Sequence, residues 1–396
     1  MGNSLAQMLA VTALNLRTVP GRWASSLVIV VGIAGVVTVM VALLALAQGF
    51  ASTLQRTGHP DRAIVLRGGA TGELASSLTI DRARIVATLP GIAQIAGSAA
   101  ASPELYLVAD VPKRATGAPA NLPLRGMTER GIALRPEVKI LQGRLFKPGR
   151  AELIAGRAAA DQFAGLNVGA KIKLRDATLE VVGIFSAEGG GHESEVWLDL
   201  PVVQDLFRGP GVISSLRVAV ATPADIPLLK RSIEGDRRLD MTVTAEPAYY
   251  ARQSARLTGL ITGFGYAVAT IMAIGALFAA LNTMYSAVSA RTVEIATLRA
   301  LGFGGLPVMV SVIVEAMILA TIGGVLGGLI AYLGFNGTTV STLNQTSFSQ
   351  VAFDFAVTPT LIRRGITIAL LLGLIGGLMP AWRATRVPVT QALRRA

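Results

Sequence analysis

The sequence predicts a membrane protein with four transmembrane α-helices and a large extracytoplasmic α+β domain between helices 1 and 2. Its composition favours this class, since 52% of the 396 residues are hydrophobic, only 15% are charged and the mean hydropathy is +0.56. Long runs without any charged residue occur at 24–47 and 257–290. A polar segment of about 200 residues with short alternating apolar runs separates them.

The composition also excludes several classes of site. The chain has no Cys and only two His, so a disulfide framework, a thiolate or histidine-rich metal site and a Ser-His-Asp hydrolase are all disfavoured. The net charge is +12. Most of this excess lies beside the apolar runs, where the sequence has 10 Arg and only three acidic residues. No basic run with interleaved aromatic residues supports nucleic-acid binding.

Residues 1–22 are predicted to form an amphipathic helix at the cytoplasmic membrane surface. One helical face carries the apolar residues Leu5, Met8, Leu9, Ala13 and Leu16, whereas Gln7 and Asn15 lie elsewhere. Pro20 and Gly21 end this helix.

The first membrane helix is predicted at 23–48, where 24 uncharged residues suffice to cross a hydrocarbon layer of roughly 30 Å. The alternative is a signal peptide, with Arg17 and Arg22 as its basic region and Ala45-Leu46-Ala47 as its cleavage site. We favour an uncleaved helix because the apolar run exceeds a signal core of about 7–15 residues.

Residues 49–252 are predicted to form the α+β domain. The predicted strands are Ala63–Arg67, Glu104–Ala109, Lys171–Leu174, Leu179–Ile184, Glu195–Leu198, Ser215–Val220 and Met241–Thr244, and the predicted helices are Ile80–Leu89, Ala158–Gly165, Pro201–Phe207 and Ala224–Glu234. The Gly- and Pro-rich stretch Gly117–Pro123 is a candidate loop between two lobes. The run Gly189–Glu195 (GGGHESE) suggests a metal or phosphate site, but a flexible hairpin loop is favoured, because one His with two carboxylates is a thin ligand set.

The second span with a stalk extension is predicted at 253–290, the third at 306–335 and the fourth at 365–382, with a short periplasmic loop at 336–364 and a cytoplasmic tail at 383–396. The pairs Gly323/Gly327, Gly324/Gly328 and Gly373/Gly377 permit close helix packing, either within one bundle or at a dimer seam.

A short charged helix is predicted at 291–305, between the second and third spans. Arg291 and Glu294 are i,i+3 neighbours, Ile295 and Leu298 are apolar, and Gly302 suits a C-terminal cap. Taken alone, these charges either mark a membrane boundary or form a helix on which a soluble motor pushes.

Two motifs carry a family resemblance that covers nearly the whole chain. Asn282, Met284, Arg291, Glu294, Ile295, Arg299, Ala300 and Gly302 resemble the signature of MacB/FtsX-type ABC transporter permeases, with Ala296 where the family usually has Gly. The closing run resembles the family's last motif through Pro380, Ala381, Arg383, Ala384, Arg386, Pro388, Ala392, Leu393 and Arg394. Residues Ala151–Val220 are similar, more loosely, to the MacB-like periplasmic core domain.

The resemblance implies a permease dimer, homo- or hetero-, that binds two copies of a separate ABC ATPase. The expected ATPase-coupling residues are Arg291, Glu294, Ile295, Leu298, Arg299, Gly302, Arg383 and Arg386, and the expected intramembrane polar residues are Asn282 and Glu315. ATP and Mg would be bound by the partner, because this sequence has no phosphate loop, and no cofactor is expected in the chain itself. Membrane lipids and a periplasmic adaptor or membrane-fusion protein are the further expected partners.

Two functions remain open under this resemblance. In the first, ATP hydrolysis drives a periplasmic conformational change (mechanotransmission) that exports or extracts a lipid, lipoprotein, peptide or drug. In the second, the protein transports nothing and activates a periplasmic partner such as a cell-wall hydrolase, as in the FtsX branch. The size of the domain at 49–252 favours the first, and a receptor-like sensor is less favoured because no signalling domain is present.

The expected location is the bacterial inner membrane, with both termini cytoplasmic and the large domain periplasmic. Eight Arg lie on the predicted cytoplasmic side, and two, Arg363 and Arg364, lie in the short loop opposite. This distribution fits the positive-inside rule. Arg252 and Arg256 on the outer side do not decide against it, because long domains translocate largely regardless of charge.

Overall fold

The computed structural model describes residues 4–95, 97–236, 238–344 and 349–386. The helices are α1 (Ser4–Thr18), α2 (Trp23–Thr57), α3 (Ile80–Ala87), α4 (Glu129–Ala133), α5 (Arg157–Gln162), α6 (Leu200–Leu206), α7 (Ile226–Glu234), α8 (Glu246–Ala290), α9 (Thr292–Ala300), α10 (Gly305–Phe335) and α11 (Pro359–Thr385). The chain divides into two compact units. We call Met1–Gln48, Leu260–Thr338 and Phe355–Ala396 the helical unit, and Gly49–Gly259 with Thr339–Asp354 the sheet unit.

Four helices, α2, α8, α10 and α11, are long and apolar enough to cross a membrane, which confirms the four predicted spans. The helices extend beyond the predicted limits, since α2 continues to Thr57 and α8 begins at Glu246. Hydropathy marks where apolar residues stop, whereas the backbone hydrogen bonds of a helix can continue through polar residues. At 45 residues, α8 is about 68 Å long, roughly twice the hydrocarbon thickness.

Glycine pairs bring the helices of the helical unit into close contact. A Cβ atom on Gly323 or Gly327 of α10 would lie 2.9 Å from the carbonyl oxygen of Val30 or 2.6 Å from that of Ala34, both on α2. On the opposite face of α10, a Cβ on Gly324 would meet the Cβ of Ala369 at 2.8 Å. The predicted small-residue pairs of α10 therefore pack within one bundle.

The sheet unit is organised around a mixed ten-stranded sheet. The strands of the chain are β1 (Arg62–Arg67), β2 (Leu78–Thr79), β3 (Gln94–Ile95), β4 (Ser98–Ala99), β5 (Ala101–Pro112), β6 (Pro119–Met127), β7 (Lys139–Gly143), β8 (Glu152–Gly156), β9 (Lys171–Leu174), β10 (Ala177–Ser186), β11 (Val196–Asp199), β12 (Val212–Ile213), β13 (Ser215–Ala219), β14 (Met241–Ala245), β15 (Thr339–Asn344) and β16 (Ser349–Asp354). The main sheet runs β14-β1-β13-β5-β6-β11-β8-β10-β7, with β9 paired to β10. All seven predicted strands and all four predicted helices are present, with limits that differ by a few residues.

Two predictions for the sheet unit were wrong. Gly117–Pro123 does not separate two lobes, because Gly117 (φ +68°) belongs to the turn of a hairpin and Pro119 begins the central strand β6. Gly189–Glu195 was predicted as a flexible hairpin loop, but the strands that it joins, β10 and β11, are not paired with each other, and its residues His192, Glu193 and Ser194 form a buried helical turn. Glu193 orders this turn by accepting hydrogen bonds from the backbone N–H groups of Ala187 (2.8 Å) and Gly189 (2.9 Å).

The stretch predicted as a plain loop at 336–364 contains the β15–β16 hairpin, which belongs to the sheet unit. The Tyr106 hydroxyl donates a hydrogen bond to Ser349 Oγ (3.0 Å), and the Ala352 N–H donates to Ser194 Oγ (3.0 Å). The ring of Phe353 packs edge-on against Phe50, with centroids 5.4 Å apart. The hairpin is therefore held by specific contacts with residues far away in the sequence.

A network of charged side chains lies buried in the sheet unit. Glu104 Oε2 accepts hydrogen bonds from Arg125 (2.9 Å), Arg135 (2.9 Å) and Arg217 (3.0 Å). Arg125 also donates to Glu73 Oε1 and to Glu195 Oε2, each at 2.7 Å. The network ties β5, β6 and β13 to one another and to Glu195, the residue that precedes β11, through charge-assisted hydrogen bonds.

The first residue of α8 is attached to the same network. Arg217 donates a hydrogen bond to Glu246 Oε1, and Arg62 Nε donates to Glu246 Oε2 at 3.0 Å. Arg62 in turn binds Glu137 through both terminal nitrogens, at 3.1 and 2.7 Å. The start of α8 is thus fixed to strands β1 and β13 of the sheet.

Candidate functional site

The predicted charged helix is α9, which is shorter than the predicted range 291–305. It begins after Arg291, whose backbone (φ −104°, ψ 13°) departs from helical geometry and separates α9 from α8. It ends at Ala300, and Gly302 follows the C-cap residue with a φ of +95°, which favours glycine. The Phe303 N–H donates to Leu298 O and the Gly302 N–H donates to Arg299 O, each at 3.1 Å, which is the Schellman pattern expected of a glycine cap.

The two faces of α9 differ in exposure. Ile295 and Ala296 are buried in the helical unit. The opposite face presents Val293, Glu294, Thr297 and Leu301, and we call these four residues the α9 strip. Leu301 is 72% exposed, and the Glu294 side chain is 57% exposed. The sequence prediction included only Glu294 of the strip, because periodicity identifies an amphipathic helix without showing which side packs inward.

Both ends of α9 are held by arginines. Arg291 Nε donates to Glu294 Oε2 (3.1 Å), and its Nη1 donates to the side-chain oxygen of Asn15. Arg299 Nη1 donates to the carbonyl oxygen of Thr385 at the end of α11 (2.9 Å). These two arginines, predicted as partner contacts, therefore bind within the helical unit.

A polar cluster surrounds Glu315, which is 4% exposed on α10. Its carboxylate accepts a hydrogen bond from Arg22 Nη2 (3.2 Å) and one from Asn15 Nδ2 (2.9 Å), and Arg291 Nη1 lies 4.0 Å away. Glu315, predicted as an intramembrane polar residue, therefore faces other parts of the protein. Asn282, predicted as a second intramembrane polar residue, is exposed on α8 and takes no part in the hydrogen bonds of this cluster.

The orientation of α1 differs from its predicted amphipathic arrangement. Val11 and Asn15 are buried, with Asn15 only 2% exposed, whereas Leu5 and Leu9 are exposed. The reason is the buried carboxylate of Glu315, which requires hydrogen-bond donors and draws the Asn15 face of α1 towards α10.

The remaining predicted site residues lie at the end of α11. The guanidinium of Arg383 stands over the ring of Tyr285 (5.5 Å to the centroid), and that of Arg386 over the ring of Trp382 (4.1 Å). Both arginines are exposed. The rest of the predicted tail motif, with Pro388, Ala392, Leu393 and Arg394, lies outside the described residues.

The α9 strip is a candidate surface for protein docking. Among the residues that the structure describes, no group of three His, Cys, Asp or Glu side chains could hold a metal ion. The α9 strip combines two apolar side chains with one carboxylate on a helix held at both ends. Such a surface can receive a partner and transmit a displacement to the helices attached to it.

Comparison with known sequences identifies one domain family in each of two parts of the chain. Residues 26–235 match the MacB-like periplasmic core domain, and residues 266–389 match the FtsX-like permease C-terminal domain. The periplasmic region of MacB from Actinobacillus actinomycetemcomitans is a structural match at 16% identity, covering 47% of this chain and 89% of that chain with a TM-score of 0.35.

Three curated relatives have related names. An uncharacterised ABC transporter permease of Methanocaldococcus jannaschii is 26% identical over 58% of this chain and 58% of its own length. The pyoverdine export ATP-binding/permease protein PvdT of Pseudomonas entomophila is 25% identical over 62% of this chain and 38% of its own length. The macrolide export ATP-binding/permease protein MacB of Hyphomonas neptunium is 26% identical over 57% and 35%. The matched region therefore spans less than two thirds of each relative.

Proposed function

The chain belongs to the MacB/FtsX-type ABC transporter permeases, and from that premise we propose that α9 couples it to a separate ATPase. Two copies of the ATPase bind ATP and Mg, and their closure displaces α9 in a dimer of permeases. The displacement passes through α8 and α10 and changes the conformation of the periplasmic domain. This mechanism transmits force without requiring a substrate to cross the membrane core.

The α9 strip is the observation that carries this proposal. Exposed apolar side chains beside a carboxylate fit a partner groove that is apolar and carries a cation. The clamps at Arg291 and Arg299 add a mechanical argument, because a helix held at both ends passes a push to its neighbours. Arg383 and Arg386 are proposed as secondary contacts, since both are exposed.

For the substrate we propose export or extraction of a lipid, lipoprotein, peptide or drug from the periplasm or the outer leaflet. Support comes from the two relatives that are named as pyoverdine and macrolide exporters. The proposed setting is the bacterial inner membrane, with a periplasmic adaptor as a further partner. Identifying the protein captured by the sheet unit would distinguish export, through an adaptor or lipoprotein, from activation of a cell-wall hydrolase.

Reversing the charge of Glu294 is expected to uncouple the complex. The substitution Glu294→Lys places a cation against the partner's cation and beside Arg291, and breaking a charge pair buried at an interface costs roughly 2–5 kcal/mol. ATP hydrolysis should be measured on permease purified together with its ATPase from the native membrane. We expect either that the ATPase dissociates from the complex or that its rate of ATP hydrolysis no longer depends on transport by the permease.

Two control variants test whether the effect of Glu294→Lys depends on the reversal of charge at this position. Glu294→Gln retains the shape of the side chain and should keep most ATPase binding. Asp176→Lys makes the same change of charge on an exposed carboxylate of the sheet unit (90% exposed) and should behave like the wild type. If Glu294→Lys retains both the ATPase and coupled hydrolysis, α9 marks only a membrane boundary and the proposal is wrong.

The proposed orientation predicts which residues an impermeant thiol reagent can label. The chain contains no Cys, so each introduced Cys reports a single position. In intact cells, Thr116→Cys in the exposed hairpin of the sheet unit should be labelled, and Ser289→Cys near the end of α8 should be labelled only after lysis. Ser194 is unsuitable because it is buried. The opposite labelling pattern would reverse the topology.

A further inference from the structure

Asn15 uses the full hydrogen-bonding capacity of its amide group. Its Nδ2 donates to Glu315 Oε2 (2.9 Å) and to the carbonyl oxygen of Ser311 (3.2 Å). Its Oδ1 accepts from Arg22 Nη2 (3.3 Å) and from Arg291 Nη1. An amide offers two donors and two acceptor sites, so no other single side chain of this size could serve all four partners.

The partners of Asn15 belong to three different parts of the helical unit. Arg22 ends the turn that leads from α1 into α2, Glu315 lies on α10, and Arg291 is the non-helical residue between α8 and α9. Ser311 adds a second link, because its hydroxyl donates to the carbonyl oxygen of Val11 on α1 (3.4 Å). The hinge at the start of α9 is thus connected to α10 through α1.

The charges around Asn15 explain why a neutral amide occupies this position. Arg22 and Arg291 both approach Glu315, so two cations share one buried carboxylate. The amide presents its oxygen to both guanidinium groups and its nitrogen to the carboxylate. An apolar side chain would remove one hydrogen bond from each of these three groups, and a second carboxylate would repel Glu315.

We propose that Asn15 is a positioning residue that fixes the hinge of α9, which makes α1 part of the coupling apparatus. Its hydrogen bond to Arg291 holds the start of α9 in one position relative to α10, and the clamp from Arg299 to Thr385 holds the other end. The inference rests on the proposed function for the consequence of α9 movement. The claim that Asn15 orders α9 is independent of any ATPase.

The first test measures the position of α9 directly in the reconstituted full-length protein. Spin labels on Thr297→Cys and Met379→Cys, both at exposed positions, report α9 relative to α11, and labels on Leu14→Cys and Met379→Cys report α1. In an Asn15→Leu background, double electron–electron resonance should show loss of the single narrow distance peak for both pairs. If only the α1 pair changes, Asn15 merely docks α1 and the proposal is overturned.

A paired substitution keeps the test decisive if Asn15→Leu folds poorly. Asn15→Asp alone should broaden the α9 distances, because it places a carboxylate against Glu315. Adding Glu315→Gln restores a donor opposite the new carboxylate and should recover part of the narrow peak. Absence of any recovery would contradict the hydrogen-bonding role. Gln7→Leu, on the same helix and without a hydrogen bond to another described residue, is the matched control and should leave both peaks unchanged.

The second test separates this inference from the proposed function. In permease purified with its ATPase, Asn15→Leu should retain the bound ATPase while its hydrolysis no longer responds to transport conditions. Loss of the ATPase by Glu294→Lys but unchanged coupling by Asn15→Leu would overturn the inference and leave the proposed function intact. If the narrow distance peaks between the spin labels depend on Asn15 but Glu294→Lys behaves like the wild type, the positioning role is supported and the proposed function is contradicted.

Discussion

Replacing Glu104 by alanine is expected to destabilise the sheet unit by roughly 3–5 kcal/mol, the cost of breaking a buried ion pair by removing one partner. Glu104 is fully buried, and one carboxylate oxygen accepts hydrogen bonds from Arg125, Arg135 and Arg217. Its removal leaves three buried guanidinium groups with less compensating charge. Since whole domains are stable by only about 5–15 kcal/mol, we expect unfolding at markedly lower urea concentration.

The measurement is urea denaturation of the detergent-solubilised protein, in which susceptibility to proteolysis reports the unfolding of the sheet unit. Glu180→Ala removes an exposed carboxylate from strand β10 and is the matched control, for which a change within about 0.5 kcal/mol is expected. If Glu104→Ala and Glu180→Ala unfold at the same urea concentration, the buried network contributes no net stability.

The Glu104 carboxylate also makes the stability of the sheet unit depend on pH. Burial alone would raise the pKa of Glu104, but Arg135, Arg217 and Arg125 outweigh it and lower the pKa from 4.5 to about 2. The associated stability is present above pH 4.5 and is lost as the pH falls towards 2. For a shift of this size, linkage gives a contribution on the order of 3 kcal/mol. Glu104→Gln should therefore lose less stability than the wild type across this interval.

Glu315→Leu is expected to disrupt the helical unit almost as strongly. The substitution leaves Arg22 and Arg291 without their shared carboxylate, at a site where the wild-type carboxylate is buried. Breaking such a pair lowers the free energy of unfolding by about 3–5 kcal/mol, which exceeds the stabilisation that the apolar leucine side chain gains by packing. Thermal unfolding of the purified protein and the yield of assembled complex are the readouts.

A double-mutant cycle isolates the interaction of Glu315 with Arg22. Arg22→Met and Glu315→Leu are each compared with the double variant, which removes both charges. We expect the double variant to be less destabilised than the sum of the single variants, since neither charge is then left buried alone. Strict additivity would show that the two groups do not interact, and an unchanged Glu315→Leu would remove its structural role altogether.

The four spans and seven of the strands could be predicted, because both follow from the spacing of apolar residues. Uncharged runs locate α2 and α8, and alternation locates strands such as β9 (Lys171–Leu174), whose burial alternates residue by residue. Gly302 could also be assigned to a helix cap, because its role depends only on local backbone geometry.

The buried polar groups could not be predicted, because each depends on a partner distant in sequence. Arg125 and Arg217 interrupt apolar strands and would ordinarily be placed on an exposed face, yet both are buried against Glu104. Asn15 likewise contacts Glu315, which is 300 residues away in the sequence. No local pattern encodes such pairings.

The β15–β16 hairpin has a consequence for the order in which the protein is made. It completes the sheet unit but begins 80 residues after Gly259, beyond the whole of α9 and α10. A chain synthesised from its amino terminus exposes Phe50, Tyr106 and Ser194 before Phe353, Ser349 and Ala352 exist. The sheet unit can therefore be completed only after α9 and α10 have been synthesised.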